Sequence, residues 1–478
     1  GTSFWIKAGS FRIYACTQKA GGGCLAGKEN RDKRNKRKVR KGRKKGVSGQ
    51  LRIFVASLSV VLMVGGAVMV GYAAFVAAQS AKSMQGNNHE KLDLGWLFVQ
   101  HDTVEQAGDD RAEENTMSES SGEDQALGVS DEMLAENERL YQEAVAKGQN
   151  ARIVECADGG RVSLLFAGDI LLDDEYAMMF RYRARGSDIY DTFSSALLER
   201  MRAADIFMLN NEFPFSTRGT PTEGKQFTFR ANPANVELLG QIGVDVVSLA
   251  NNHAYDYGED ALLDTFTTLE NAGIPYVGAG RNIEEAKKPL YLIANGMKIG
   301  IVSATQIERN AVPDTKEATS ANAGVLRCMD PSALLEVIAE TKADCDFVIL
   351  YIHWGTESQE ETDWLQDKQA PIYAQAGVDL IIGDHPHCLQ KLDAVSGVPV
   401  VYSLGNYWFN SKTQDTCLVE VGINKDGIQD FRFIACRQED CRTRELEGTD
   451  RDGVLNYMRG LSPKVQIDSE GFVTFHEE

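Results

Sequence analysis

The chain has 478 residues, with 50 lysines and arginines against 69 aspartates and glutamates, and a formal charge of −19 at pH 7. This length allows more than one domain. Because the first 52 residues carry +14, the remainder stands at −33, a charge that repels nucleic acid and argues against such a partner.

A basic tract near the N-terminus is followed by an uncharged apolar segment. Residues 28–45 contain twelve basic and two acidic side chains, and the 26 residues 53–78 contain no charge. As a helix, this segment would be about 39 Å long, enough to cross a hydrocarbon core of about 30 Å. A cleaved signal peptide, with an apolar core of about 7–15 residues, is the weaker interpretation. The sequence therefore predicts a basic cytoplasmic tail (1–52) and a single transmembrane helix (53–78) in the plasma membrane, with everything after it outside the cytoplasm.

The next segment, 79–160, is acidic and rich in serine, with few large apolar residues. Such a composition cannot bury a core, so a largely disordered stalk is expected. Within it, Leu134, Tyr141 and Val145 have helical spacing, and Ser130 is a candidate N-cap. We predict a helix near 130–147.

Seven of the nine cysteines follow the apolar segment, and none forms part of a paired CxxC motif. A zinc ribbon is therefore not expected. One pair such as Cys436 and Cys441 could form a disulfide, but with an odd number outside at least one thiol should stay free.

From residue 161 onwards, apolar runs typical of buried strands alternate with helical patterns, which indicates an α/β fold. Strands are predicted at 162–167, 205–209, 244–249, 347–352, 378–382 and 398–402. These strand ends offer carboxylate, Asn or His side chains, and four of the seven histidines lie there. Ligands gather beyond the carboxyl ends of strands in open α/β sheets, so a metal or catalytic centre is predicted. A mixed oxygen and nitrogen set without thiolate suits Mn, Fe or Zn better than Ca.

The segments at these strand ends resemble the CapA family of poly-gamma-glutamate capsule biosynthesis proteins, within the calcineurin-like metallophosphoesterase superfamily. They include GDILL at 168–172, NNE at 210–212, FTFRANP at 227–233, SLANNHAYDYG at 248–258, HWGTE at 353–357, GVDLIIGDHPHCLQ at 377–390 and YSLGNYWFN at 402–410. The resemblance implies a four-layer αββα metallophosphoesterase-like sandwich over about 161–435, with 436–478 as a C-terminal extension.

The resemblance also implies roles for individual residues. Glu212 would bridge two metal ions, with Asn252, His353 and His385 on one and Asp169 and His387 on the other. His253 would be the catalytic residue, a general acid or a donor to a phosphoryl oxygen. The superfamily pattern Asp-x-His is broken here, because Asp169 is followed by Ile170 and Leu171. One metal position therefore lacks a histidine, and one or two divalent ions are expected.

Roles are also predicted for residues close to the metal ligands in sequence. Arg230, or less favourably Lys225, would read an anionic substrate group. The expected partners of the neighbouring histidines are Glu357 and Gln390. Core packing is expected for Trp354 and Trp408, and Asp256 is expected to hold its turn.

Three functions remain open at this point. The favoured hypothesis is a membrane-anchored, extracytoplasmic protein of poly-gamma-glutamate capsule biosynthesis or processing, with a metal-dependent hydrolytic site. The second is an envelope metallophosphoesterase acting on phosphate esters unrelated to polyglutamate. The third is a non-catalytic module that binds a polymer or partner subunits. Expected partners are an anionic envelope polymer or a phosphate ester, the membrane through one helix, and other capsule-synthesis subunits.

Overall fold

The computed structural model describes residues 130–307 and 315–476. The predicted tail, transmembrane helix and most of the predicted stalk lie outside these residues. No helix in the two described ranges is long and apolar enough to span a membrane.

Two β-sheets form the centre of the described region. Sheet A has the order β1-β7-β8-β10-β11-β13-β12, and sheet B has the order β17-β16-β15-β2-β3-β4-β5 with β14 beside β2. Their strands are β1 (Asn150–Ile153), β2 (Val162–Ile170), β3 (Ile206–Asn211), β4 (Val246–Ser248), β5 (Tyr276–Val277), β7 (Leu290–Ala294), β8 (Met297–Thr305), β10 (Phe347–His353), β11 (Leu380–Asp384), β12 (Leu392–Val395), β13 (Val398–Val401), β14 (Asn406–Trp408), β15 (Gln414–Asn424), β16 (Gly427–Glu439) and β17 (Arg442–Glu445). Two short pairs complete the strands, β6 (Ala279–Gly280) with β9 (Gly324–Val325) and β18 (Val465–Ile467) with β19 (Val473–Phe475).

Helices pack around the two sheets, mostly on their outer faces. They are α1 (Asp131–Ala146), α2 (Ala177–Ala184), α3 (Ser195–Ala203), α4 (Glu237–Ile242), α5 (Glu259–Asn271), α6 (Ile283–Ala286), α7 (Ser332–Lys342), α8 (Trp364–Ala376) and α9 (Gly448–Leu461). The predicted helix near 130–147 is α1, and the side chain of Ser130 accepts a hydrogen bond from the Met133 amide as its N-cap.

Alternating residues of β2 show how the layers pack. Leu164 and Phe166 lie in an apolar cluster with residues of sheet A, between the two sheets. Leu165 belongs to a second cluster, with α2, α3, α4 and α5 on the outer face of sheet B. A third cluster joins sheet A to α7 and α8 and contains Trp354. Because strand side chains alternate between faces, a strand buried on both sides must be apolar throughout.

Gly168 allows β14 to approach β2. A Cβ atom at this position would lie 2.0 Å from the carbonyl oxygen of Gly405. Any larger residue would therefore push away the segment that carries Asn406, which pairs in register with Asp169.

The folded region extends beyond the predicted 161–435 at both ends. Residues Asn150–Ile153, expected in the stalk, form the edge strand β1, which pairs in parallel with β7. The predicted boundary at 436 falls inside β16, and α9, β18 and β19 bury apolar residues in the cluster between the sheets. Both ends thus cover core edges that would otherwise face water.

All seven cysteines in the described residues are free thiols, including Cys436 and Cys441. Trp354 and Trp408 are both buried in the core, as predicted.

Candidate metal centre

The parallel strands place the predicted site residues at neighbouring ends of the two sheets. In sheet B, Asp169 lies in β2 opposite Asn210 of β3, and Glu212 follows β3. In sheet A, His353 ends β10 opposite Asp384 of β11. The remaining side chains, Asn252, His253, His385 and His387, follow β4 and β11 directly.

Glu212 lies at the centre of this group. Its side chain is fully buried, and neither carboxylate oxygen has a hydrogen-bond partner among the described residues. Oε1 is 3.6 Å from Nε2 of His353 and 3.9 Å from Nε2 of His253. Burial raises the pKa of Glu212 well above its usual value, and the charges of Asp169, Asp384 and Glu357 add to this effect. A carboxylate in such a position needs a cation beside it to be ionised.

Two sets of ligand atoms share Glu212. The first contains Glu212, His353 and His385, whose candidate atoms all lie within 4.8 Å of one another. The amide oxygen of Asn252 joins this set, 2.7 Å from Nε2 of His353, and Nδ1 of His385 lies 3.0 Å from the same nitrogen. The family resemblance implies that Asn252, His353 and His385 bind one metal ion and that Glu212 bridges it to a second.

The second set contains Asp169, Glu212 and His387, again within 4.8 Å. Nδ1 of His387 lies 2.9 Å from Oδ2 of Asp169. Burial alone would raise the pKa of Asp169, but the hydrogen bond and positive charge of His387 hold it below its usual value. The same contact raises the pKa of His387, against the effect of its own burial.

The two histidines that follow β11, both predicted metal ligands, have unusual backbone conformations. His385 has φ 95° and His387 has φ 56°, in the left-handed region that non-glycine residues rarely adopt. Such conformations persist only where the surroundings impose them, and they are frequent at functional sites.

Three residues at the centre were not singled out from the sequence. Oδ1 of Asp384 lies 2.8 Å from Nδ1 of His353, Asn210 donates to Asp169 at 2.8 Å, and Oδ1 of Asn406 lies 2.9 Å from Nδ1 of His387. Asp384 lies in the segment GDHPH, Asn210 in NNE and Asn406 in LGN, and each segment is at the end of a predicted strand. This position at a strand end is the sequence signal that could have identified them. In metal sites, such hydrogen-bond partners fix the orientation of the ligand side chains from the side that faces away from the ion.

His253 lies against Glu212 but is held from its other side. Its Nδ1 is 2.7 Å from Oδ2 of Asp256, and its ring packs on Phe229 with centroids 4.3 Å apart. Burial lowers the pKa of His253, and Asp256 opposes this effect. With Nδ1 engaged, Nε2 is the nitrogen that faces the centre.

The predicted substrate-binding and hydrogen-bonding residues lie outside the two sets of ligand atoms. The guanidinium of Arg230 lies 4.2 Å from the ring centroid of Tyr257 and donates to the carbonyl of Arg218. Glu357 is exposed, and its charge reaches Glu212 and His387. The side chain of Gln390 accepts from Gln366 in α8 and donates to the carbonyls of Gln359 and Glu361, so its hydrogen bonds within the described residues go to these groups and not to a histidine.

The donor set fits a divalent metal. It combines carboxylates, an amide oxygen and imidazole nitrogens around an orphaned buried carboxylate, and its three-residue groups contain no cysteine in the described part of the chain. Mixed oxygen and imidazole ligation is typical of Mn, Fe and Zn sites.

A family model described as "Bacterial capsule synthesis protein PGA_cap" matches residues 163–411. The chain is 30% identical over 280 residues to the "PGA biosynthesis protein CapA" of Bacillus subtilis, covering 56% of this chain and 70% of that protein. It is 31% identical over 210 residues to the "Capsule biosynthesis protein CapA" of Bacillus anthracis, covering 42% of this chain and 50% of that protein. It is 30% identical to a Mycobacterium tuberculosis "Probable polyglutamine synthesis accessory protein" over 44% of this chain and 57% of that protein.

Proposed function

The chain belongs to the family of bacterial capsule synthesis proteins, and we propose that it acts in poly-gamma-glutamate capsule biosynthesis or processing through a metal-dependent hydrolytic site. The site is the cluster around Glu212. The family model matches the segment from β2 to the residues just after β14, and every predicted metal-binding residue lies within it.

The observation that carries the proposal is the state of Glu212. Its two carboxylate oxygens are buried without hydrogen-bond donors, at the point where two sets of ligand atoms meet. A purely structural carboxylate in the core would be expected to have donors around it. A bound cation accounts for both the burial and the missing donors.

The residues of this chain can perform three tasks in hydrolysis. Asp169, Glu212, Asn252, His353, His385 and His387 would hold one or two metal ions. Bound ions would polarise the scissile group and activate water. His253, as an imidazolium whose Nδ1–H is bonded to Asp256, would donate its Nε2 proton to the leaving group and become neutral.

Metal ions bound at this centre would attract an anionic substrate. With residues after 52 at −33, a polyanion would be repelled by the protein surface in general. A metal-filled cluster would reverse the charge locally and favour the carboxylates of a glutamate polymer. Arg230 remains a candidate for a further anion contact at the edge of the site.

A second candidate is a metallophosphoesterase that acts on phosphate esters of the envelope. It is favoured by the sharing of Glu212 between two ligand sets, an arrangement suited to two metal ions on one phosphoryl group. The family resemblance also favours it, since the resemblance implies a metallophosphoesterase-like sandwich with its site at the strand ends.

We further propose that residues 53–78 anchor the chain in the plasma membrane with the metal centre outside the cytoplasm. The support is the basic tract followed by 26 uncharged residues.

The deciding experiment uses the full chain, purified without metal and reloaded in turn with Mn²⁺, Fe²⁺ or Zn²⁺. Hydrolysis is measured on a γ-glutamyl oligomer and on a phosphodiester, with His253→Ala as the matched variant. The favoured function predicts metal-dependent cleavage of the oligomer and a loss of about 10²–10⁴-fold in the variant, which keeps its metal. Cleavage of only the phosphodiester would support the second candidate. Binding of the oligomer without any turnover would make the chain a non-catalytic module.

A further inference from the structure

A loop between β3 and α4 folds over the turn that carries Asn252 and His253. We name residues 216–230 the clasp loop and residues 251–258 the NNH turn. The amide of Thr222 donates to the carbonyl of Asp256 at 2.8 Å. Gly219, with φ +84°, allows the closest approach, because a Cβ atom there would lie 1.9 Å from the carbonyl oxygen of Tyr257. The clasp loop is therefore packed tightly on the NNH turn.

Lys225 reaches from the clasp loop into the interior of the NNH turn. Its side chain is only 5% exposed, and Nζ donates to Oδ1 of Asp256 at 2.5 Å. Nζ also donates to the backbone carbonyl of Asn252. A buried ammonium is costly unless it is paired and hydrogen-bonded, and both conditions are met here.

Asp256 connects this ammonium to His253. Its side chain is fully buried, and while Oδ1 accepts from Lys225, Oδ2 accepts from the amide of Phe229 at 2.7 Å and contacts Nδ1 of His253 at 2.7 Å. The carboxylate is thus held at both oxygens in one orientation. That orientation directs Nε2 of His253 toward Glu212.

We propose that Lys225 is a positioning residue, whose buried ammonium holds Asp256 and the Asn252 carbonyl so that the His253 imidazole faces the metal centre. This role replaces the substrate-reading role considered from the sequence, since the ammonium is enclosed and already donates to two protein oxygens. The inference rests on the proposed function for its effect on turnover, but the orientation of His253 can be measured without a substrate.

The principal variant is Lys225→Met, which keeps the length of the side chain and removes the cation. Without it, Oδ1 of Asp256 loses its charged donor in the interior, and the carboxylate no longer has a single favoured orientation. The control is Arg218→Met, which removes a cation from the same loop. Arg218 is 53% exposed, and its ion pairs with Asp260 and Asp264 lie on the surface.

The first measurement is the side-chain nitrogen and proton spectrum of His253 in the Zn²⁺-loaded protein, with Asp256→Asn as the reference for a disrupted pair. We expect the hydrogen-bonded Nδ1 proton signal to be lost or shifted in Lys225→Met and retained in Arg218→Met. A folded, Zn²⁺-loaded Lys225→Met protein with the wild-type His253 signal would overturn the inference.

The second measurement is turnover on whichever substrate the wild-type protein cleaves. We expect Lys225→Met to lower kcat by about 10–100-fold, the usual cost of removing such a partner, with KM within about twofold. In Lys225→Ala, n-propylammonium should restore part of kcat, since it replaces the atoms removed, and it should restore nothing in His253→Ala. A kcat equal to the wild type in Lys225→Met would contradict the inference.

Two outcomes separate this inference from the proposed function. If no substrate is cleaved by the wild-type protein while the His253 signal depends on Lys225, the positioning role stands and the hydrolytic function fails. If Lys225→Met does not fold, Lys225→Gln keeps a donor toward Asp256 without the charge, and the same spectrum decides the question.

Discussion

Nδ1 of His353 lies 2.8 Å from Oδ1 of Asp384, while Nε2 of the same ring faces Glu212 and Asn252. The carboxylate is buried behind the ring, where it orients the nitrogen that would bind metal. In many metalloproteins a carboxylate accepts a hydrogen bond from one nitrogen of a histidine whose other nitrogen binds the metal, and Asp384 has this position relative to His353.

Asp384→Asn should therefore weaken metal binding by about 10–100-fold while the fold is retained. The physical reason is that an amide is a weaker acceptor for Nδ1–H and no longer compensates the positive charge that develops on the ring. Titration calorimetry with Mn²⁺ measures the effect. The control is Asp379→Asn, just before the same strand, where the side chain pairs with Lys342 away from the centre. Equal affinities in the two variants would remove Asp384 from the site.

Glu212→Gln should have opposite effects with and without metal. In the metal-free protein it replaces a buried carboxylate that lacks donors, so the free energy of unfolding should rise by about 1–3 kcal/mol. With metal present, the shared ligand is lost, and the increase in Tm on adding metal should disappear. Thermal unfolding with and without a chelator measures both effects. A variant that is less stable in both conditions would refute this account.

Metal affinity should increase with pH. Glu212 and His387 have raised pKa values, so the metal-free protein holds protons that a metal ion must displace. Affinity should rise about tenfold per pH unit for each proton released. His353, whose pKa is lowered to about 3, is already neutral near pH 6 and contributes no such dependence. Calorimetry in buffers of different ionisation enthalpy counts the protons, and affinity that is constant from pH 5.5 to 7.5 would argue against this ligand set.

Asp344 should help to hold the helix α1 to the domain. This carboxylate pairs with Lys147 beyond the C-terminal end of α1 and with the buried Lys298 of β8. Burial would raise the pKa of Asp344, but these two lysines hold it well below its usual value. These ion pairs therefore stabilise the folded state fully above the pKa of an aspartate in the unfolded chain, about 3.9. The stabilisation is lost progressively as the pH falls from there through the lower pKa of Asp344 in the folded state.

Asp344→Asn should lower the free energy of unfolding at pH 7 by about 1–3 kcal/mol, because Lys298 then loses its charged partner. Urea unfolding at pH 7 and at pH 3 measures the difference, which should be smaller at pH 3. Glu340→Gln, on the exposed side of α7, is the matched control and should change little. Similar stabilities for Asp344→Asn and the control at pH 7 would exclude this role.

The proposed membrane anchor predicts the result of proteolysis on intact cells. A protease added outside should remove the portion after residue 78 and leave a short membrane-bound fragment. Protection of the metal-binding region, or its release from cells without protease, would show that the proposed topology is wrong.

Sequence reasoning succeeded where the signal is local. The strand that ends before Asn252 is apolar on both faces, and the structure has it as β4, parallel to β3 and β5. The helix after Ser130 was predicted from its spacing and N-cap. The strand β1 lies before the predicted start at residue 161, and no local pattern indicated it, because it is short and largely exposed and gains its place by pairing with β7.

The sequence by itself determined the family and the residue types at the strand ends, because buried strands followed by Asp, Glu, Asn and His are local patterns. Only the tertiary structure decided how these ends meet. Asp169, Glu212 and Asn252 come from sheet B, while His353, His385 and His387 come from sheet A. Stacking of the two sheets brings them together, and long-range packing also directed Lys225 inward to Asp256 instead of outward to a substrate. The orientation of a side chain depends on neighbours that are distant in the chain, and no local pattern encodes them.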